Sequence, residues 1–348
     1  MSLATGVPMF LFLRVENGGA HNWVACVAML ALSLCLGLET LAQPVPGGGF
    51  SFPADCRLGE SCWIFNYPDA MPGPERGDFR CNHLTYDAHK GTDIGVRDLA
   101  AMRHGVGVMS VADGTVLRTR DSINDDGRAP NGRDCGNGVV VSHGGGWETQ
   151  YCHLRRGSIA VRPGDVVRRG MTLGMVGMSG RAEFPHVHFE IRHAGRPIDP
   201  FTGLRTESGC GRAERALWRD DARPAYEAVQ IYAAGFATSK VDLAAIQRDA
   251  SSPMTFADEA PAIVLWVTML GVRPGDRLSM RITSPDGTAL FTNQTEIRRA
   301  QLRRLVFGGR RLRQSRWPPG TYIGEASLTR KSPDGSIEKS IRMKIDVR

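Results

Sequence analysis

Past its first forty residues the chain alternates short apolar runs with glycine clusters. Runs at 106–111, 114–117, 139–142, 147–153, 172–176 and 187–191 have strand length, and the glycines between them supply turns. That pattern predicts an antiparallel β domain, placed at 81–205. Residues 43–54 (QPVPGGGFSFPA) read as a linker at the start of an extended N-terminal segment, 43–80. Over 206–258 the composition shifts toward Ala, Glu, Arg and Asp. Helix-compatible spacing at 224–234 and 240–248 predicts a partly helical connector there. Strand patterns return at 263–269, 277–283, 321–328 and 341–347, punctuated by Pro274-Gly275-Asp276, Pro285-Asp286-Gly287 and Pro333-Asp334-Gly335. The spacing predicts a small β-sandwich over 259–348. The fold class expected is mainly β.

The extreme N-terminus differs. Residues 23–38 (WVACVAMLALSLCLGL) form a 16-residue, uncharged and largely apolar run, short of the roughly 20 that a spanning helix needs. Thr40-Leu41-Ala42 follows as a small-x-small site. Together they predict a secretory signal peptide over 1–42, so an exported, periplasmic or extracellular protein with no stable membrane span.

Removing that segment takes away Cys26 and Cys35 and leaves Cys56, Cys62, Cys81, Cys135, Cys152 and Cys210. Six cysteines allow 15 connectivities. Cys135 and Cys152 flank an apparent hairpin and are the favoured pair. Cys56 with Cys62 would close a small loop, leaving Cys81 with Cys210. No C-x-x-C spacing points to zinc held on sulfur.

Candidate chemistry lies in the first β domain. In Pro185-His186-Val187-His188-Phe189-Glu190-Ile191, strand alternation puts His186, His188 and Glu190 on one face and the apolar residues on the other. His89-Lys90-Gly91-Thr92-Asp93 offers an imidazole nitrogen and a carboxylate oxygen where a loop enters a strand. In the run 147–154, alternation places Thr149, Tyr151 and His153 together, with Cys152 on the opposite face, free for a disulfide behind the sheet. Glu190 reads as a surface carboxylate, and His83, His104 and His193 as surface or structural residues. His143 sits close enough in sequence to the hairpin to approach a cleft. The loop at 121–134 (DSINDDGRAPNGRD) reads as a solvated insertion, since a calcium-loop register would put Arg133 at the glutamate position.

H-x-x-x-D, then Y-x-H-L, then the glycine-punctuated stretch 161–180, then H-x-H-F-E, resembles the lysostaphin/LytM-type zinc metallopeptidases over roughly residues 81–200. The resemblance implies a peptidoglycan endopeptidase that hydrolyses cross-link peptides. It assigns one Zn²⁺ to His89, Asp93 and His188, and work on the water and the oxyanion to His153 and His186. Two imidazoles and one carboxylate leave a fourth tetrahedral position open, as catalytic zinc requires. The chain departs from the family at Phe184-Pro185, where a glycine-proline is usual. The alternative is a catalytically idle module of the same fold that binds wall peptide or activates another hydrolase.

Charge adds one feature. The chain carries 43 Lys and Arg against 36 Asp and Glu. Eight arginines fall between Arg298 and Arg316 without one acid, so the excess belongs to the C-terminal domain. An anionic envelope polymer is the partner such a patch would suit, and an exported protein offers no occasion for nucleic acid. Ordinary apolar and charged fractions, 42% and 23%, exclude wholesale disorder.

Overall fold

A computed structural model describes residues 45–129, 132–212, 215–332 and 335–348. The expected signal peptide, with Cys26 and Cys35, lies outside them. Among the described residues no helix is long and apolar enough to cross a membrane.

In chain order the first half contains β1 (Cys62–Asn66), β2 (Thr92–Val96), α1 (Leu99–His104), β3 (Gly107–Met109), β4 (Gly114–Arg120), β5 (Asn137–Gly144), β6 (Trp147–Leu154), β7 (Val166–Val167), β8 (Thr172–Met175), β9 (His186–His193) and β10 (Arg196–Ile198). An eight-stranded sheet runs β1-β2-β9-β6-β5-β4-β7, with β10 paired to β9, and β3 pairs β8 in a small second sheet. Alternation dictates its core. Val187, Phe189 and Ile191 of β9, Tyr151 of β6, and Val139 and Val141 of β5 are fully buried beneath it. At about 2 kcal/mol per buried side chain, that layer anchors the strands whose other face is polar.

The second half contains β11 (Gln230–Ala237), α2 (Leu243–Arg248), β12 (Thr255–Phe256), β13 (Ala262–Val272), β14 (Arg277–Thr283), β15 (Ala289–Glu296), β16 (Gln301–Arg311), β17 (Gly320–Ser332) and β18 (Gly335–Val347). The sheet β11-β13-β16 faces the sheet β12-β18-β17-β14-β15 across one core. Two strands of the smaller sheet, β11 and β13, are buried on both faces. Ile263, Leu265, Val267 and Met269 point into the sandwich, whereas Trp266 and Leu270, with Tyr232 and Ala233 of β11, join the core of the first domain. The chain from Gln43 onward is one compact unit.

Two segments depart from expectation. Residues 224–234 are not helical, because β11 occupies Gln230–Ala237. Burial on both faces removes its polar alternation, and a bulge between Ile231 and Ala233 shifts what remains. The stretch 43–80 is more than an extended segment: all five residues of β1 are buried, four of them pair with β2, and Phe50 is fully buried. A strand covered on both sides reads as a plain apolar run, without period two. All three pairings, Cys56–Cys62, Cys81–Cys210 and Cys135–Cys152, are formed.

Candidate metal centre

Strand order places the polar side chains. β9 lies between β2 and β6, with Asp93 opposite His188, Gly95 opposite His186, and Cys152 opposite His188 on the other flank. Opposed residues share a face. His89, at the end of the loop before β2, completes the cluster. His89 Nε2 lies 3.1 Å from Asp93 Oδ1 and 3.1 Å from His188 Nδ1, and His188 Nδ1 lies 2.8 Å from Asp93 Oδ1.

The surroundings turn one lone pair of each group inward. His89 Nδ1–H donates to the Tyr67 carbonyl at 2.7 Å, leaving Nε2 free. Asn66 Nδ2 donates to Asp93 Oδ2 at 2.8 Å, leaving Oδ1 at the centre. Tyr86 stacks on the His89 ring with centroids 4.3 Å apart. Burial pushes the Asp93 carboxyl up, but the His89 and His186 imidazoles and the hydrogen bond from His188 outweigh it. The group is held well below the usual carboxylate range. Gly91 is obligatory here, because a Cβ would lie 2.7 Å from the His188 imidazole. Two imidazole nitrogens and one carboxylate oxygen, with His89 and Asp93 each fixed by an outer partner, make a donor set that fits a zinc ion.

His186 and His153 flank this cluster. Their ring centroids are 4.6 Å apart, and His186 Nε2 is 3.6 Å from Asp93 Oδ1. Each donates Nδ1–H to a main-chain carbonyl at 2.8 Å, His186 to Phe184 and His153 to Ser179, so each presents Nε2 as an acceptor. Burial holds both imidazoles below the usual histidine range, His153 far below it.

Simple alternation fails at His153. Cys152, opposite His188, lies on the cleft face, while Thr149 and Tyr151 face the core. His153 reaches the cleft because its φ of 61° lies in the left-handed region and resets the side-chain direction. The Cys135–Cys152 disulfide therefore lines the cleft instead of sitting behind the sheet. Glu190 is likewise no surface carboxylate: it is 8% exposed, 2.8 Å from Arg192 Nε, and 4.0 Å from His188 Nε2.

Asp93, His153, His186 and His188 open into a cleft of about 690 Å³. Arg76, His83, Tyr86, Gln150 and Arg181 line it from the first domain, and Val272, Arg273, Gln301 and Leu302 from the sandwich. His143 lies elsewhere, between the Asp113 carbonyl and Thr149 Oγ1 on the core side. The loop at 121–134 is pinned, not merely solvated: Asp121 accepts from the Gly157 and Ile159 amides, and Asp125 from those of Arg156 and Met178. The eight arginines do not form one patch. Arg303 is packed against the first domain, Arg316 pairs with Asp258 and Glu259, and Arg304 bonds Gln301. Four of them, Arg303, Arg304, Arg310 and Arg311, lie on β16, which alternates faces, and a count of charges does not reveal that.

Residues 87–200 match peptidase family M23. The chain is 37% identical over 111 residues to the peptidoglycan DD-endopeptidase ShyA of Vibrio cholerae, covering 32% of this chain and 22% of ShyA. It is 34% identical over 111 residues to ShyB of the same organism, with the same coverage. The cell division protein DipM of Caulobacter vibrioides is 33% identical over 102 residues, 28% of this chain and 15% of DipM. The chain thus spans about a fifth of the length of the first two relatives. A solved zinc-containing peptidase from Vibrio cholerae is 31% identical and covers 39% of each chain, with a TM-score of 0.27.

Proposed function

We propose, from the M23 domain at residues 87–200, that this protein is an exported zinc-dependent endopeptidase that hydrolyses peptide cross-links of peptidoglycan. One observation carries the reading. Three donor atoms converge within 3.1 Å of one another, beside two histidines that both present Nε2 to the same cleft. In this reading His89, Asp93 and His188 hold the zinc, one per domain, and His153 and His186 are the catalytic pair. A zinc ion bound there supplies Lewis acidity to water and to the scissile carbonyl.

The chain's own groups do the rest. His186 is neutral, so its Nε2 can take a proton from the attacking water and return it to the leaving amine. Its Nδ1–H bond to Phe184 keeps the ring turned for that exchange. His153 sits on the other side, where its Nε2 can take the second proton of the attacking water and then donate it to the carbonyl oxygen. Asn66 and Tyr67 keep the donor lone pairs inward. Three disulfides suit an oxidising compartment, which supports export. The arginines of the Arg298–Arg316 segment that stay exposed remain open to an anionic envelope polymer.

Mass spectrometry of cross-linked muropeptides, incubated with zinc-loaded protein with and without chelator, tests the reading. Cleaved cross-links that vanish with chelator are expected. No turnover at full zinc occupancy overturns it in favour of an idle binding module.

A further inference from the structure

We infer that Arg303, on the edge strand β16 of the C-terminal sandwich, is a positioning residue for His186, acting through Phe184. This rests on the reading above, in which His186 moves a proton.

The sequence departs from its family's glycine-proline at Phe184-Pro185, and the structure shows what the phenyl ring does. It packs on the His186 imidazole with centroids 4.6 Å apart, and the Phe184 carbonyl accepts the His186 Nδ1–H bond. One residue thus fixes both the plane of the catalytic ring and its tautomer. Phe184 is itself held from behind. Phe65 stacks on it at 4.4 Å, and Tyr232, on β11 of the sandwich's inner sheet, packs edge-on to Phe65 at 5.5 Å. A glycine at 95 leaves the space, since a Cβ there would lie 2.5 Å from the Phe65 ring.

Arg303 closes the stack. Its guanidinium lies 5.0 Å from the Phe184 centroid, and its side chain is 14% exposed, so the cation–π contact is largely shielded from water. Nη1 donates to Gln247 Oε1 at 3.2 Å, and Gln247 Nε2 donates to the Glu183 carbonyl at 2.6 Å. The sandwich therefore grips the 183–184 backbone and its ring together. A neighbouring domain that only covered apolar surface would need no charged group at this point. Burying an arginine against a phenyl ring is costly unless its hydrogen bonds and its cation–π contact are both made.

The experiment uses the full chain with Arg303→Ala, Arg303→Lys, Phe184→Leu and the double variant R303A/F184L. R311A, an exposed arginine of the same strand, is the control. On muropeptide, R303A should lower kcat about tenfold with KM and zinc content unchanged, the cost of a misplaced catalytic group. R303K, which keeps the cation, should recover part of the loss, and R303A should add nothing in the F184L background. In the metal-free protein, the His186 Nδ1–H proton resonance should be visible in the wild type and lost to solvent exchange in R303A. The proposal is overturned by wild-type kcat in R303A, by a loss that follows melting temperature or zinc content, or by an unchanged His186 resonance. The NMR arm does not need turnover. A wild type that fails to hydrolyse muropeptide while R303A still frees the His186 proton would sink the enzyme reading alone.

Discussion

The two halves of the histidine cluster are held by different means. His89, Asp93 and His188 brace one another side chain to side chain, and their outer partners are a carbonyl and a carboxamide. His153 and His186 are each hung from one main-chain carbonyl and packed by aromatic or imidazole rings. The first arrangement fixes where lone pairs meet. The second fixes how each ring is turned while leaving Nε2 free. Removing a member should therefore dismantle the first set but only disarm the second.

The largest break comes from His188→Ala. It removes one of the three donor atoms proposed to hold zinc, so zinc binding and hydrolysis should disappear together; metal analysis beside an activity assay checks this, and retained activity would refute the ligand set. His186→Ala or His153→Ala should keep zinc at full stoichiometry while kcat falls by roughly 10²–10⁴-fold, the usual worth of positioned acid–base catalysis. Loss of zinc in either variant would erase the distinction between the halves. Asn66→Ala sharpens it further. It frees Asp93 Oδ2 without touching the catalytic pair, and zinc affinity should drop about 10–100-fold in a chelator competition.

The smallest effect is in pH. His153 and His186 take a proton near pH 6.5 when unfolded, but burial delays protonation in the folded chain. Over that window the unfolded state binds more protons, so stability rises with pH and falls on acidification below about 6.5. Melting temperature of the metal-free protein between pH 7 and 5 should fall less steeply in His153→Gln than in the wild type. Parallel curves would mean that the buried ring is not what titrates.

The same contrast explains what could be read in advance. β9 was legible because Val187, Phe189 and Ile191 give it an apolar face, which turns His186 and His188 together onto the other. His89 and Asp93 were legible as ligands only through the family resemblance, since their spacing alone reads equally as a solvated pair. Asn66 carried no signal, since its role comes from pairing with β2 across 27 residues. Cys152 was placed on the wrong face because one left-handed residue, His153, restarts the count. Arg303 was hidden in a run of like charges, where only strand register separates the side chain on Phe184 from those in solvent.

The three disulfides differ in topology. Cys56–Cys62 joins neighbours in the cysteine order, whereas Cys135–Cys152 is nested inside Cys81–Cys210, which spans 129 residues. A chain threaded into an oxidising compartment from its N-terminus offers Cys81 first to Cys135, its wrong partner. The native set forms only if Cys81 stays reduced until Cys210 arrives, or if an early bridge is exchanged by attack of a free thiolate. Correct pairing therefore depends on timing or on thiol exchange, and oxidation alone does not ensure it. Cells lacking a disulfide isomerase should accumulate chains in which the cleft-lining Cys152 has lost its partner to Cys81.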